Sequence, residues 1–302
     1  MKIKFQIGHV LKMAILALTL GLVADVNAQS FTPGNLVVVR VGSGAAALTS
    51  ASTQVALSDY STAGVLNATR TFQSSTTIPA PGLAPFLNVS GSTANEGFGS
   101  TSTDGSVFAL LGYNVTNGTA SVNGANSTNL RAVGRVTANG TLSVPLSTLS
   151  YGGTNTIRSV ATDGTSYWAT TSNTSAGNGL VRISAAGTVT SLTSLNGRGV
   201  GIFNGQLFAA AQSSVQSIGT GLPTTTGQTG TTVATVTNAN AFSFSPNHDV
   251  LYVADESAFS ATATSSGGIR KFTRAAGTST WTFQYTLNSG AAATTACRGL
   301  VV

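Results

Sequence analysis

One strand–turn–strand pattern recurs four times along this chain, in the same order and with the same turn chemistry, and it restricts the available folds more than any other feature. The first copy is Gly97-Phe98-Gly99, the turn Asp104-Gly105, then Val107 to Leu111. The second runs from Ile157 to Ala161, turns at Asp163-Gly164 and returns through Tyr167 to Thr170. Gly199 to Phe203, Asn204-Gly205 and Leu207 to Ala210 make the third; Ala241 to Phe244, the turn Pro246 to Asp249 and Leu251 to Ala254 make the fourth. A second hairpin follows the copies, as in Val133 to Val136 with Leu142 to Val144, Leu180 to Ile183 with Val189 to Leu192, and Ile269 to Phe272 with Trp281 to Leu287. Asn-Gly and Asp-Gly favour the positive φ of tight hairpins, so each unit reads as a four-stranded antiparallel meander.

The units start near residues 97, 158, 199 and 241, a spacing of about 40 to 60 residues with four strands each. That is the period of a β-propeller blade. One meander of this size cannot bury both faces alone, whereas blades packed face to face around an axis bury each other. Gly97, Gly99, Gly199, Gly201 and Gly299 fall on the innermost strand, where bulky side chains would collide. The competing fold, a parallel β-helix, would repeat nearer every 20 residues and would not alternate its turns in this way. The expected fold class is therefore all-β, a β-propeller of four-stranded antiparallel blades. Their expected ranges are 35–72 plus 297–302, 96–149, 157–195, 198–238 and 240–288. In this scheme Arg298 to Val302 supplies the innermost strand of the first blade, closing five blades into a ring without free edges.

Residues 1–28 read as a signal peptide: Lys2, Lys4 and Lys12 precede an apolar run from Met13, and Val26-Asn27-Ala28 offers small residues for cleavage. About eleven apolar-rich residues span roughly 16 Å, short of the ~30 Å hydrocarbon layer, so a membrane anchor is the weaker reading. No later stretch is long and apolar enough to cross a bilayer as a helix. An exported protein is expected, secreted, periplasmic or at the cell surface. Cys297 is the only cysteine, so no intramolecular disulfide staples the fold and stability has to come from apolar burial. Only 7% of residues are charged against 41% hydrophobic, which suits a large core. The formal charge of +6 is partly the leader's, and the remaining arginines are scattered singly. Without a basic run to follow phosphates, nucleic acid is not an expected partner.

Phe31 to Gly42 just after the leader, with Val133-Gly134-Arg135-Val136, Ile202 to Leu207, Gly219 to Pro223, Leu251 to Asp255 and Gly267-Gly268-Ile269, resembles a group of secreted bacterial β-propeller proteins. The Asp-Gly turns followed by Phe or Tyr strands are more loosely similar to NHL and YVTN-type propellers. The resemblance covers essentially all of the chain after the leader, implies fold and location, and carries no catalytic residues over. It also implies a further blade after the Arg-Gly-Leu strand, which would make this chain a fragment of a six-bladed ring; closure at five blades is the alternative.

Catalytic constellations are missing. His248, the only histidine outside the leader, falls in a hairpin turn, and no Gly-x-Ser-x-Gly elbow or phosphate loop occurs. One histidine and one cysteine do not make a zinc site. The carboxylates are too dispersed for calcium: Asp104 and Asp163 suit turns, and the adjacent pair Asp255-Glu256 is expected to face water. No cofactor or metal is expected. One pattern remains. Arg158, Arg198 and Arg298 enter innermost strands, with Glu96 and Asn240 at the equivalent positions of the other copies, which places all five on one rim of the channel. Guanidiniums gathered there would grip a carboxylate or sulfate by forked hydrogen bonds; the blander reading ties each one to a neighbouring carbonyl. The expected function is a non-catalytic binding or surface-interaction module for an extracellular glycan or protein ligand. The alternatives are a glycan-acting hydrolase or lyase, in which Glu96 would have to serve, and a purely structural envelope component.

Overall fold

The computed structural model describes residues 30–72, 85–123, 129–172, 174–175, 179–258, 267–287 and 297–300. The expected signal peptide lies outside the described residues. Among those described there are twenty strands and no helix. Three complete antiparallel meanders carry the repeat: β9 (Ile157–Thr162), β10 (Tyr167–Thr171), β11 (Leu180–Ile183) and β12 (Val189–Thr193); β13 (Gly197–Phe203), β14 (Gln206–Ala211), β15 (Ser214–Ile218) and β16 (Gly230–Thr235); and β17 (Ala239–Phe244), β18 (Val250–Asp255), β19 (Gly268–Thr273) and β20 (Thr282–Leu287). Ahead of them stand β1 (Leu36–Val41), β2 (Ser52–Tyr60) and β3 (Leu66–Thr71), then β5 (Ser100–Thr101), β6 (Val107–Tyr113), β7 (Arg131–Thr137) and β8 (Leu142–Leu149). The turns behave as their residues require. Asn204 and Gly205 both take positive φ, +48° and +72°, in the two-residue loop where Phe203 pairs with Gln206. In the longer turns the aspartates bond the backbone instead, Asp163 Oδ1 accepting from the N–H groups of Thr165 (2.8 Å) and Ser166 (2.6 Å).

Period-two alternation along each blade feeds two different cores, and this makes the assembly a propeller. Tyr167 and Ala169 of β10 pack with Leu111, Tyr113 and Val133 of the preceding sheet, whereas Trp168 between them packs with Leu207, Ala209 and Ile218 of the following one. Likewise Ala209 faces backwards while Phe208 and Ala210 face Phe242, Leu251 and Val253 of the last sheet. Val55 and Leu57 of β2 meet Leu110, Ala132 and Val136 in the same way. Sheets stacked through both faces leave the first strand of each unit innermost. There β9 packs on β13 and β13 on β17. Side chains also tie adjacent blades: Trp168 Nε1 donates to the Pro223 carbonyl at 3.0 Å, and Val200 N–H to Ser159 Oγ at 3.3 Å. Crowding at the axis is literal at Gly199, where a Cβ would stand 2.6 Å from the Asn240 carbonyl oxygen. Gly97 has a different reason, a φ of +83°.

Two departures from the repeat concern the ends. β4 (Asn88–Ser90), not expected from the pattern, joins the first two units into one eight-stranded sheet. β2 outruns β3, leaving Ser52 to Gln54 open, and β4 pairs there before reaching Tyr113 of β6. Residues 297–300 form no strand, so the expected inner strand from Arg298 is absent over its described part; Val301 and Val302 lie outside the described residues. Gly299 lies beside Phe98, where an added Cβ would stand 3.9 Å from the ring.

Candidate functional site

Arg158, Arg198 and Asn240 are each the second residue of an inner strand, β9, β13 and β17, and so share one rim of the channel. The structure draws Arg198, Asn240 and Arg298 together on a carboxylate that the pattern assigned to solvent. Glu256 Oε2 receives Arg198 Nη1 and, at 2.9 Å, Asn240 Nδ2; its Oε1 receives Arg298 Nε and Nη2, each at 2.5 Å. The Glu256 side chain is only 13% exposed. The register explains its position. Asp255 pairs with Ala239, so the residue after β18 returns to the rim where β17 begins, and its N–H donates to the Asn238 carbonyl at 2.9 Å. That hairpin geometry was the available signal for Glu256, and it was missed because an acid after a strand ordinarily faces water. Asp255 departs from the expectation too: it is fully buried and accepts from Thr237, Asn238 and Ser257 N–H groups, with Arg270 Nη1 at 3.6 Å.

Arg158 lacks such a partner of its own. It is buried at 9% exposure, and Nη1 donates to Asn196 Oδ1 (2.8 Å) and the Gly197 carbonyl (3.0 Å) of the next blade. Burial lowers its pKa to about 10, the Arg198 charge pushes the same way, and Glu256 pulls back only in part. The neighbouring-carbonyl reading thus describes one side of Arg158. Among the described residues the rim holds three guanidiniums and one carboxylate.

Glu96 does not join this ring. Its neighbour Asn95 reaches the rim, where Asn95 Oδ1 receives Asn240 Nδ2 at 3.4 Å, but the Glu96 carboxyl turns inward. Oε2 accepts from Ser90 N–H at 2.7 Å and Oε1 from Tyr113 Oη at 2.8 Å, and Arg131 lies over the Tyr113 ring at 5.0 Å. Burial raises its pKa to about 7 against the opposing pull of those donors and of Arg131. His248 is a turn residue at φ +58°, its ring packed against Phe244 at 4.2 Å between centroids and tilted by 55°.

Inside the rim lies a cavity of about 470 Å³, within the range of small-molecule sites. Ser159, Gly199, Asn240 and Gly299 line it, and three of these directly follow the rim arginines in sequence while Asn240 holds Glu256. Phe98, Phe108, Phe203 and Phe242 bring aromatic rings to the rest of the lining. Among the described residues no group of three or more His, Cys, Asp or Glu side chains is placed to hold a metal ion.

No known family matches the chain, and no curated protein matches it. Solved structures do align with it. A GH74 enzyme from Niastella koreensis aligns with a TM-score of 0.48 at 14% identity, over 86% of this chain and 38% of that one. The periplasmic gluconolactonase of Pseudomonas aeruginosa gives 0.44 at 13%, over 85% and 69%. A gluconolactonase from Xanthomonas campestris gives 0.41 at 11%, over 67% and 65%. The chain thus spans about two thirds of the length of these lactonases and well under half of the GH74 enzyme.

Proposed function

We propose that this chain is an exported, non-catalytic β-propeller that binds an anionic group, a carboxylate or sulfate of an extracellular ligand, at the rim around Arg158, Arg198 and Arg298. The observation that supports it is the imbalance of charge: Arg198 and Arg298 share Glu256, and buried Arg158 beside them is left with neutral acceptors. A second anion beside Arg158 relieves the repulsion from Arg198 and gains a charge-assisted hydrogen bond in a partly dry site. Calorimetric titration with sulfate and with glucuronate tests this against uncharged glucose. Both anions are expected to bind, glucose is not, and Arg158→Gln is expected to remove the binding; equal binding of glucose, or binding indifferent to Arg158→Gln, refutes the reading.

A glycan-acting hydrolase at the same rim is the second reading, favoured by one observation: Glu256 places a carboxylate at the rim, bonded to Asn240 of the cavity lining. Against it, glycosidic cleavage ordinarily uses two acids ~5 to 10 Å apart, both oxygens of Glu256 are taken by donors, and Glu96 is committed to Ser90 and Tyr113. Turnover of a glycan substrate that disappears in Glu256→Gln would establish this reading in place of the first.

A further inference from the structure

The rim arginines specify a charge, but the cavity beneath them specifies what that charge is attached to. From Gly199 at the rim to Phe203, β13 advances four residues, roughly 13 Å at ~3.3 Å per residue. Along this depth Gly199 and Gly201 carry no side chain, and β13 pairs with β14 along one edge, at Val200, Gly201 and Ile202. The Ser159 hydroxyl in the wall already accepts Val200 N–H. Phe98 and Phe242 supply ring surface, and Phe203 joins the lining, 5.7 Å from Phe242 and 5.0 Å from Phe244 between centroids. Sugar rings are ordinarily held by convergent hydrogen-bonding side chains. Here Asn240, next to the rim arginines, is the one amide side chain in the lining, and the other polar side chains are the hydroxyls of Ser100, Thr101, Ser159 and Ser243.

We infer that the ligand is an amphiphilic anion: one carboxylate or sulfonate held at the rim by Arg158 and Arg198, which directly precede the lining residues Ser159 and Gly199, and an apolar body of up to roughly 13 Å lying along the cavity against Phe98, Phe242 and Phe203. This rests on the anion-binding reading above and adds the chemistry of the body. A medium-chain alkyl carboxylate fits both parts. The head remains beside the guanidiniums while each methylene that enters the cavity leaves water.

The test is calorimetric titration of the full chain with acetate, hexanoate, octanoate and decanoate below their micellar concentrations, with glucuronate and decan-1-ol as comparators. Affinity is expected to rise roughly two- to fourfold per added methylene, in line with ~0.8 kcal/mol for a fully buried one. Decanoate is then at least a hundredfold tighter than acetate. Arg158→Gln is expected to weaken decanoate tenfold or more. Ala241→Phe, which places a ring in the cavity wall, is expected to abolish the chain-length dependence while acetate still binds; should that variant fail to fold by circular dichroism, Phe98→Ala, which strips ring surface from the wall, is expected to weaken decanoate and leave acetate unchanged. Acetate, glucuronate and decanoate binding equally, all through Arg158, overturns the amphiphile inference and leaves the rim reading standing. Decanol binding as well as decanoate, with no effect of Arg158→Gln, also overturns it, because the cavity then takes apolar bodies without regard to charge. Failure of every anion to bind sinks the rim reading itself.

Discussion

Glu96→Gln isolates the cost of an acid buried beside the axis. In the folded chain this carboxyl holds its proton up to about pH 7, whereas an exposed glutamate loses it near 4.5. Between those values the native state binds the extra proton, so stability declines as pH rises, by ~1.4 kcal/mol per pH unit across the window. The full difference is about 3 kcal/mol, present as a stability deficit above pH 7 and absent below 4.5. For a chain of this size that is roughly 6 to 12 °C in Tm. Glutamine retains the shape: its carbonyl accepts from Ser90 N–H, and its amide donates to Tyr113 Oη, whose hydrogen is free to turn. Urea unfolding at pH 4.5, 6.0 and 7.5, followed through the fluorescence of buried Trp168, gives the two curves. Other groups contribute slopes of their own. Asp59, Asp104 and Asp249 have lowered pKa values and add stability as pH rises through the acidic range, and His248, also lowered, does so as pH rises towards 6.5. These are common to both proteins and cancel in the difference. The wild type is expected to lose about 3 kcal/mol relative to Glu96→Gln between pH 4.5 and 7.5; parallel curves would show that desolvation does not dominate at this site.

Glu256→Gln is expected to destabilise by about 1–3 kcal/mol, because the 14% exposed Arg198 side chain loses its ion partner, whereas Arg298→Ala, at a 43% exposed side chain, costs under ~1 kcal/mol; thermal melts of the two variants check the order, and the reverse order contradicts the assignment of Glu256 as the hub. Gly199→Ala pushes a methyl group towards the Asn240 carbonyl and is expected to cost about 1–3 kcal/mol by denaturant unfolding, with Gly105→Ala, which meets no atom within 4 Å but is strained at φ +71°, as a comparison for backbone strain alone. Trp168→Phe leaves the Pro223 carbonyl without its donor and a gap between two blades, for about 1–3 kcal/mol; a loss within experimental error shows that this bond does not tie the blades.

Much of this architecture was legible before any coordinates, and the reason is local. Hairpins are made by neighbouring residues, so Asn204-Gly205 and the strands either side of it specify their own pairing, and the alternation at Tyr167, Trp168 and Ala169 announces a sheet buried on both faces. Equivalence among Arg158, Arg198 and Asn240 followed from the repeat itself, since residues at one register of successive units share one rim. Tertiary structure alone decided how those residues are used. Glu256 becomes the centre of the rim through a register that brings the end of β18 beside the start of β17, and Glu96 leaves it because its carboxyl is held by Ser90 N–H and Tyr113 Oη. The short pairing of β4 and the strand-free course of residues 297–300 depend on which edges other segments leave open. Such choices are settled by charges and open hydrogen-bonding groups far apart in the chain, and no pattern of neighbours encodes them.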